Sequence, residues 1–465
     1  MKTLYRPELL YVDGRFVAGG ELLVNQEGRI VELVEDLDPS TVKIIELPGK
    51  ALLPGFVNAH SHTFQRLIRG KAESRFVSGR DFWSWRGTMY YAASKLDPQQ
   101  VYDVARMAFL EMVLAGTTTV GEFHYLHNAT DGRAYDDPNL LSKQVIAAAE
   151  SVGIRIVLLR AAYLRAGFEL PPEPGQKRFY ESSKAFLENM TALMKEASGD
   201  GSQVRFGVAP HSMRAVPLHE LHEIAEWARA NKLPLHMHVA EQVAENEACV
   251  REYGATPVDL LAREKILGPD FTAVHGVHVT EGEIAMLARA ETTICSCPTT
   301  ERNLGDGFVR ADEMLAAGIR LALGSDSQAQ IDPLEDAREL EYHLRLRQQK
   351  RAILDQVGGK PLAAHLFDCA TAHGAHSLAV PAGDLKPGRF ADFVTVDLDD
   401  CSIAGNSAED LLPTLVFSLN RSAIRDVVVR GRFVLRDQQH PHREEIVSRY
   451  KELHEAIWSD ATRRG

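Results

Sequence analysis

Two histidines separated by one residue, His60 and His62, directly follow a short apolar run of the chain. Side chains two residues apart in an extended strand point to the same side, so both imidazoles can reach one metal ion. Histidines and one aspartate also follow other apolar runs, namely His211, His238, His275 and Asp326. Three imidazole nitrogens and one carboxylate oxygen, with a position left for water, form a catalytic zinc site and not a closed structural one. Zinc held in this way lowers the pKa of its water to about 7, so the pattern predicts hydrolytic metal chemistry.

The apolar runs that precede these residues are spaced like the strands of one barrel. Eight runs are predicted as strands: Ala51–Val57, Gly116–Val120, Arg155–Leu159, Val204–Val208, Pro234–Val239, Thr272–Val274, Thr292–Cys295 and Leu321–Gly324. Amphipathic stretches between most of them predict helices, among them Gln100–Ala115, Tyr180–Glu196, Leu218–Asn231 and Glu281–Arg289. Strands that alternate with helices in this way predict an α/β protein with a TIM-like (β/α)8 barrel. Catalytic side chains of such barrels lie at the carboxyl ends of the strands, where these histidines and Asp326 fall.

Both ends of the chain carry short strands and turns in place of this alternation. A turn at Asp13-Gly14 separates two extended runs, and Ala391–Asp397 and Val427–Val434 alternate near the other end. We therefore predict one small β-sandwich-like domain assembled from residues 1–50 and 378–440. The barrel is expected at residues 51–377, and residues 441–465 are expected to contain a charged C-terminal helix.

The overall charge and the cysteines restrict the class of protein. With 52 basic and 64 acidic residues the 465-residue chain has a net charge of −12, which argues against nucleic acid or an anionic membrane as partner. The sequence has no run of about 18 apolar residues and no secretory signal, so no membrane segment is predicted. Five irregularly spaced cysteines indicate a reduced, cytoplasmic protein, and Cys295 and Cys297 are expected to be buried thiols.

Four motifs resemble those of the amidohydrolase superfamily, in matching order and spacing across nearly the whole chain. They are Pro54–His62 at the first strand, His236–Glu241 at the fifth, Val274–His278 at the sixth and Gly324–Ser327 at the eighth. The fifth-strand motif resembles that of the deaminase branch of the superfamily. The resemblance implies a single metal ion held by His60, His62, His238 and Asp326. It also implies catalytic roles for Glu241, His275 and Asp326.

Further stretches resemble the formimidoylglutamate deiminase family: Asp81–Tyr90, Glu122–Tyr125, Pro210–Arg214 and Cys297–Gly307. This resemblance implies hydrolytic deimination of N-formimino-L-glutamate to N-formyl-L-glutamate and ammonia, a step of histidine degradation. It implies a homodimer with one Zn²⁺ per subunit, and it implies substrate contacts from Gln65, Arg86, Tyr125, His211 and Arg214. Two arginine forks suit an anionic substrate with two carboxylates. The chain departs from the family at Gln328, where members often have histidine, which affects the detail of that loop.

The expected mechanism assigns one task to each catalytic residue. Asp326 helps to deprotonate the attacking water, Glu241 carries protons to the imino nitrogen, and His275 holds the attacking oxygen. Ferrous iron accepts the same ligands as zinc, so the ligand set leaves the metal open. An alternative is a deaminase of the same branch acting on guanine or an adenosine-like purine. Another is a metal-free structural protein of the same fold, which the complete ligand set argues against.

Overall fold

The strands of the protein make up two separate sheets. The computed structural model describes residues 1–32, 42–73, 82–168, 170–171, 173–197 and 203–459, with the side chains of residues 82–84 excepted. The strands of this part of the chain are β1 (Lys2–Val12), β2 (Arg15–Ala18), β3 (Leu22–Val24), β4 (Ile30–Val31), β5 (Val42–Pro54), β6 (Phe56–Ser61), β7 (Thr117–His124), β8 (Arg155–Ala162), β9 (Val204–Pro210), β10 (Leu235–Val239), β11 (Phe271–His275), β12 (Thr293–Ser296), β13 (Leu321–Leu323), β14 (Phe393–Asp397), β15 (Ile424–Val429) and β16 (Arg432–Leu435).

Strands β6 to β13 form a nearly closed barrel in which each strand pairs in parallel with the next. Almost every residue of these strands is buried, because a parallel sheet is covered on both faces. The first and last strands meet through a single bridge between Ser61 and Asp326. The predicted (β/α)8 barrel is confirmed, and each of its eight predicted strands overlaps an observed one.

Strands from both chain ends form the second, mixed sheet. Its order is β16-β15-β14-β5-β1-β3-β4, with β2 paired to β1, and β1 and β5 run parallel. Tyr5 and Phe393 pack edge to face in its core with ring centroids 4.9 Å apart. The predicted small β domain assembled from both termini is confirmed. Its predicted bounds, and those of the barrel and the C-terminal helix, stay a prediction.

The prediction of Ala51–Val57 as one barrel strand is wrong. Residues 51–54 end β5 in the small sheet, and the barrel strand β6 begins at Phe56. Gly55 lies between the two strands and donates its N–H to the Asp392 carbonyl over 3.1 Å. A Cβ atom at Gly55 would lie 2.2 Å from Thr118 Cγ2 in β7. Only glycine therefore fits between β5 and β6 without displacing Thr118.

The helices cover the barrel and position its loops. They are α1 (Phe82–Lys95), α2 (Pro98–Leu114), α3 (Leu140–Val152), α4 (Ser183–Ala197), α5 (Leu218–Ala230), α6 (Val243–Tyr253), α7 (Pro257–Arg263), α8 (Glu281–Arg289), α9 (Pro298–Leu304), α10 (Ala311–Ala316), α11 (Pro333–Gln348), α12 (Leu362–Cys369), α13 (Ala372–Ser377), α14 (Leu411–Ser418) and α15 (Arg443–Trp458), with a 3-10 helix at Thr63–Ile68 after β6. The capping box of α2, formed by Asp97 and Gln100, explains why that helix begins at Pro98. Asp81 of the predicted substrate motif and the end of the predicted C-terminal helix, 460–465, lie outside the described residues.

Candidate metal centre and active site

Four predicted ligands from three parts of the barrel meet at its carboxyl end. His60 lies in β6 and His62 directly follows it, His238 lies in β10, and Asp326 follows β13. Each offers a ligand atom, and these atoms all lie within 4.8 Å of one another. The Nε2 atoms of His60 and His62 are 3.1 Å apart. Oδ1 of Asp326 lies 3.4 Å from Nε2 of His60 and 3.2 Å from Nε2 of His62. All four residues are buried.

Hydrogen bonds to carbonyl oxygens fix which nitrogen of two rings faces this centre. Nδ1 of His62 donates to the Phe123 carbonyl over 2.8 Å, and Nδ1 of His238 donates to the His211 carbonyl over 3.0 Å. Because a carbonyl oxygen can only accept, Nε2 of each neutral ring carries a lone pair. Lone pairs directed at one point repel each other unless a cation lies among them. The arrangement therefore fits a divalent metal ion.

The charge states of the ligands agree with metal binding. Burial lowers the pKa of His60 to about 3 and holds the pKa of His238 well below its usual value, so both imidazoles are neutral. Burial alone would raise the pKa of Asp326, but its contacts with His60 and His62 hold that pKa well below the usual range. Neutral imidazoles and an ionised carboxylate are the forms in which these side chains bind a metal.

The backbone at this end of the barrel is strained where it carries the site. Asp326 has a φ of 44°, His275 a φ of 73° and Ala240 a φ of 54°, all in the left-handed region. The N–H of Asp326 donates to the His60 carbonyl and the N–H of His62 donates to the Asp326 carbonyl, each over 3.1 Å. These two bonds close the barrel and hold Asp326 against both histidines.

Glu241 and His275 lie beside the metal ligands. Nε2 of His275 is 3.9 Å from Oε1 of Glu241 and 3.9 Å from Oδ2 of Asp326, and it has no hydrogen-bond partner among the described residues. Burial raises the pKa of Glu241 to about 8, close enough to neutral pH for this carboxyl both to take up and to release a proton. Burial opposes a charge on His275, but the carboxylates of Glu241 and Glu301 outweigh it and hold its pKa well above the usual value. The pair can therefore accept and donate protons next to the metal.

One cavity brings the predicted substrate residues together with this centre. It has a volume of about 50 Å³, and its lining includes every residue predicted to contact the substrate: Gln65, Arg86, Tyr125, His211 and Arg214. Glu241, His275 and Asp326 line the same cavity. A wider cavity of about 490 Å³ adjoins it and shares Arg86, Arg214 and Glu241. Side chains from separate loops thus form one pocket that opens outward from the metal centre.

Tyr90 and Tyr163 of this pocket, and Gln176 behind it, were missed by the sequence reasoning. Arg86 and Arg214 each donate to the Tyr163 hydroxyl over 3.4 Å, and Gln176 donates to the same oxygen over 2.8 Å. Tyr163 follows β8 directly, so the strand-end rule could have found it. Tyr90 lies one helical turn after Arg86 and accepts from it. Gln176 ends a short 3-10 helix, Pro174–Gln176, between two barrel strands, and no pattern in the sequence assigned it a role.

A second group of potential metal ligands consists of His275, Cys297 and Glu301, but the Glu301 carboxylate already accepts hydrogen bonds from the protein. The N–H of Cys297 donates to Glu301 Oε1 over 2.8 Å, and the Ser296 hydroxyl donates to Oε2 over 2.9 Å. Burial holds the pKa of the Cys297 thiol well above its usual value, so the thiolate that a metal requires is disfavoured. All five cysteines are free thiols, and Cys295 and Cys297 are buried as expected.

Comparison with known proteins identifies the family of this chain. Residues 51–434 match the amidohydrolase family. The chain belongs to that family. The prediction of a hydrolytic enzyme is thereby confirmed, and the metal dependence of the family agrees with the buried histidine and aspartate cluster.

Relatives of this amidohydrolase are deaminases and deiminases. It is 37% identical over 418 residues to a formimidoylglutamate deiminase of Pseudomonas aeruginosa, covering 90% of this chain and 91% of the relative. It is 29% identical to an 8-oxoguanine deaminase of the same organism, with 85% of each chain covered. The predicted family resemblance is confirmed by the first of these matches.

Solved structures share the whole architecture. An amidohydrolase of Brucella melitensis superposes with a TM-score of 0.90 at 31% identity and covers 98% of this chain and 99% of its own. Within the described residues of this amidohydrolase, no helix is both long and apolar enough to cross a membrane.

Proposed function

We propose that this amidohydrolase hydrolyses N-formimino-L-glutamate to N-formyl-L-glutamate and ammonia, a reaction of histidine degradation. The observation that carries the proposal is the position of Arg86 and Arg214. Both donate to the Tyr163 hydroxyl, and all three residues line the cavity beside the metal centre. None of the ion pairs among the described residues includes Arg214, so its guanidinium is available to a substrate carboxylate. The similarity to a formimidoylglutamate deiminase supports the same substrate.

The metal proposed for His60, His62, His238 and Asp326 is one Zn²⁺ per subunit, with Fe²⁺ as the other ion that suits these ligands. When bound, such an ion acts as a Lewis acid and lowers the pKa of water in the site. A homodimer is proposed from the family resemblance, and a cytoplasmic location is proposed from the number and spacing of the cysteines.

The reaction needs one water molecule and two proton transfers. The water oxygen bonds to the imino carbon, and its first proton moves through Asp326 and Glu241 to the imino nitrogen. The second proton then moves from the new hydroxyl to the same nitrogen through Glu241, the C–N bond breaks, and ammonia leaves. Glu241 can take both roles because burial places its pKa at about 8. His275 directs Nε2 at the attacking oxygen and stabilises the charge that develops there.

Ammonia release by the zinc-loaded protein tests this proposal, with N-formimino-L-glutamate, guanine, 8-oxoguanine and adenosine as parallel substrates. We expect release from the formimino compound and none above background from the purines. Release from a purine alone would overturn the substrate and keep the hydrolytic site. No release from any of the four would overturn the substrate class.

A further inference from the structure

Glu301 is a buried carboxylate behind the active site to which the proposed mechanism gives no task. It lies in the first turn of α9, and its side chain is 1% exposed. The carboxylate turns back toward the ends of β11 and β12, the neighbouring strands that carry His275 and Ser296. Ionised carboxylates are rarely buried so completely without a structural or functional reason.

Two bonds fix the Glu301 carboxylate independently of His275. Oε1 accepts the N–H of Cys297 over 2.8 Å, which satisfies a donor at the start of α9, and Oε2 accepts the Ser296 hydroxyl over 2.9 Å. The carboxylate plane is therefore set by the end of one strand and the start of one helix. A group held on both oxygens can act as a rigid support for a third contact.

That third contact is with His275. Nδ1 of His275 lies 3.3 Å from Oε1 of Glu301. Because a carboxylate offers only lone pairs, Nδ1 carries the hydrogen and Nε2 is the atom that faces the reacting centre. Nε2 is buried, lacks a partner among the described residues and lies 3.9 Å from both Glu241 and Asp326. The ring thus has one anchored edge and one edge aimed into the cavity.

The backbone conformation at His275 is unusual and is held in place by its surroundings. Its φ of 73° lies in the left-handed region, and Gly276 follows with a φ of 68°. A non-glycine residue holds that conformation only where its surroundings fix it. Rotation of the ring by half a turn would exchange the two edges, and the contact with Glu301 opposes that rotation.

We propose that Glu301 is a positioning residue that fixes the ring orientation of His275 through its Nδ1–H, so that Nε2 meets the attacking oxygen. The inference rests on the proposed function for its reaction, but the arrangement of the two side chains is independent of the substrate. Partners that orient a metal-ligating histidine typically change metal affinity or activity 10-fold to 100-fold when removed, and we expect a loss of activity of about that size for the partner of His275.

Three variants separate positioning from packing. Glu301→Gln keeps the size of the side chain and an oxygen that accepts from Nδ1–H, while its amide N–H₂ can donate to the Ser296 hydroxyl. Glu301→Ala removes the acceptor. Ser296→Ala is the matched control, since it removes one bond to Glu301 and leaves the contact with His275 in place.

The test measures steady-state kinetics together with NMR of ¹⁵N-histidine-labelled, zinc-loaded protein, in which His275→Gln assigns the His275 signals. For Glu301→Ala we expect kcat to fall about 10-fold to 100-fold, KM to stay within about 3-fold, and the hydrogen-bonded Nδ1–H signal of His275 to disappear. For Glu301→Gln we expect recovery of that signal and of kcat to within about 5-fold, and for Ser296→Ala little change.

Three outcomes would overturn the proposal: an unchanged His275 signal in Glu301→Ala, an unchanged kcat in that variant, or an equal loss in Ser296→Ala. The kinetic arm uses whichever substrate releases ammonia, and the NMR arm needs none. A wrong substrate assignment therefore leaves the test of Glu301 intact.

Discussion

The side-chain amide of Gln328 donates a hydrogen bond of 2.8 Å to the hydroxyl of Ser61. Ser61 lies between the proposed ligands His60 and His62, and Gln328 lies two residues after the proposed ligand Asp326. The amide also donates to the Asp326 carbonyl over 3.1 Å, and its oxygen accepts the Ser325 hydroxyl over 2.9 Å. Gln328 thus joins the first and last barrel strands where they carry the metal centre. The family departure noted in the sequence lies at this junction.

Replacement of Gln328 by alanine should weaken metal binding. Loss of the amide leaves Ser61 and Ser325 without their shared partner and frees the two ligand-bearing ends to move apart. We expect the affinity for Zn²⁺ to fall about 10-fold to 100-fold, measured by competition with a chromophoric chelator. Gln330→Ala, in a partly exposed position of the same loop, is the control and should bind zinc like the wild type. Equal zinc affinity in Gln328→Ala would show that the two backbone hydrogen bonds of Asp326 are enough to hold the first and last barrel strands together.

Removal of the metal should abolish activity and lower the melting temperature. The cation joins the four proposed ligands, of which Nε2 of His60 and Nε2 of His62 lie only 3.1 Å apart, and its removal takes away the charge that holds them together. An ion at about 1,000 times its dissociation constant stabilises the folded state by about 4 kcal/mol, so chelation should lower the Tm by several degrees. Adding Zn²⁺ should restore both quantities. In His238→Ala the zinc-dependent shift of the Tm should be largely lost, and a full shift there would contradict the proposed ligand set.

Substitution of Glu241 by glutamine should separate chemistry from binding. The amide has nearly the same shape but cannot carry a proton, so kcat should fall at least about 100-fold. KM should change by less than about 3-fold, because the substrate carboxylates are expected at the arginines. Single-turnover kinetics with zinc content measured on the same sample exclude metal loss as the cause. Turnover within a few-fold of the wild type would make another group the proton carrier.

Arg214 should act mainly on substrate binding. Arg214→Gln removes a charged partner of a substrate carboxylate, a contact worth about 1.5–3 kcal/mol, so KM should rise about 10-fold to 100-fold. Arg251→Gln is a suitable control, because Arg251 lines the outer cavity but not the pocket beside the metal. An unchanged KM in Arg214→Gln would remove the main support for an anionic substrate.

The proposed ligands could be found in the sequence because they follow buried strands. Parallel strands are apolar on both faces, so their ends stand out as a change from apolar runs to polar residues, as at His60, His238 and Asp326. The division between β5 and β6 could not be found in this way. Both sides of Gly55 are apolar and extended, and the change of sheet depends on the contact with Thr118, which is distant in sequence.

The supporting residues were beyond sequence reasoning for a related physical reason. Glu301 reaches His275 across 26 residues and Gln328 reaches Ser61 across 267 residues. Such contacts depend on the register of neighbouring strands and on loop conformations with positive φ, such as 62° at Gln328. Local hydrophobic periodicity records which residues are buried, but not which polar groups meet in the folded chain.

Glu111 is a carboxylate whose contribution to the stability of the fold should depend on pH. It accepts from Arg66 Nε over 2.9 Å and from Arg69 Nη1 over 2.8 Å, and Arg69 also donates to the Gln328 carbonyl over 2.7 Å. Burial acts to raise the pKa of Glu111, but the two arginines outweigh it and lower that pKa below the ordinary 4.5. A carboxyl whose pKa is lower in the folded than in the unfolded state stabilises the fold above the unfolded value.

Glu111→Gln should therefore destabilise the protein at neutral pH and have progressively less effect in acid. The side chain is 15% exposed, so we expect a loss of about 2 kcal/mol near pH 7, measured by urea unfolding. As the pH falls through the lowered pKa of Glu111, the wild-type carboxyl becomes neutral and the difference from the variant should shrink. Glu226→Gln, at an exposed position of α5, should show no such difference at either pH. A gap between wild type and Glu111→Gln that stays constant into acid would mean that shape, and not charge, sets the contribution of Glu111.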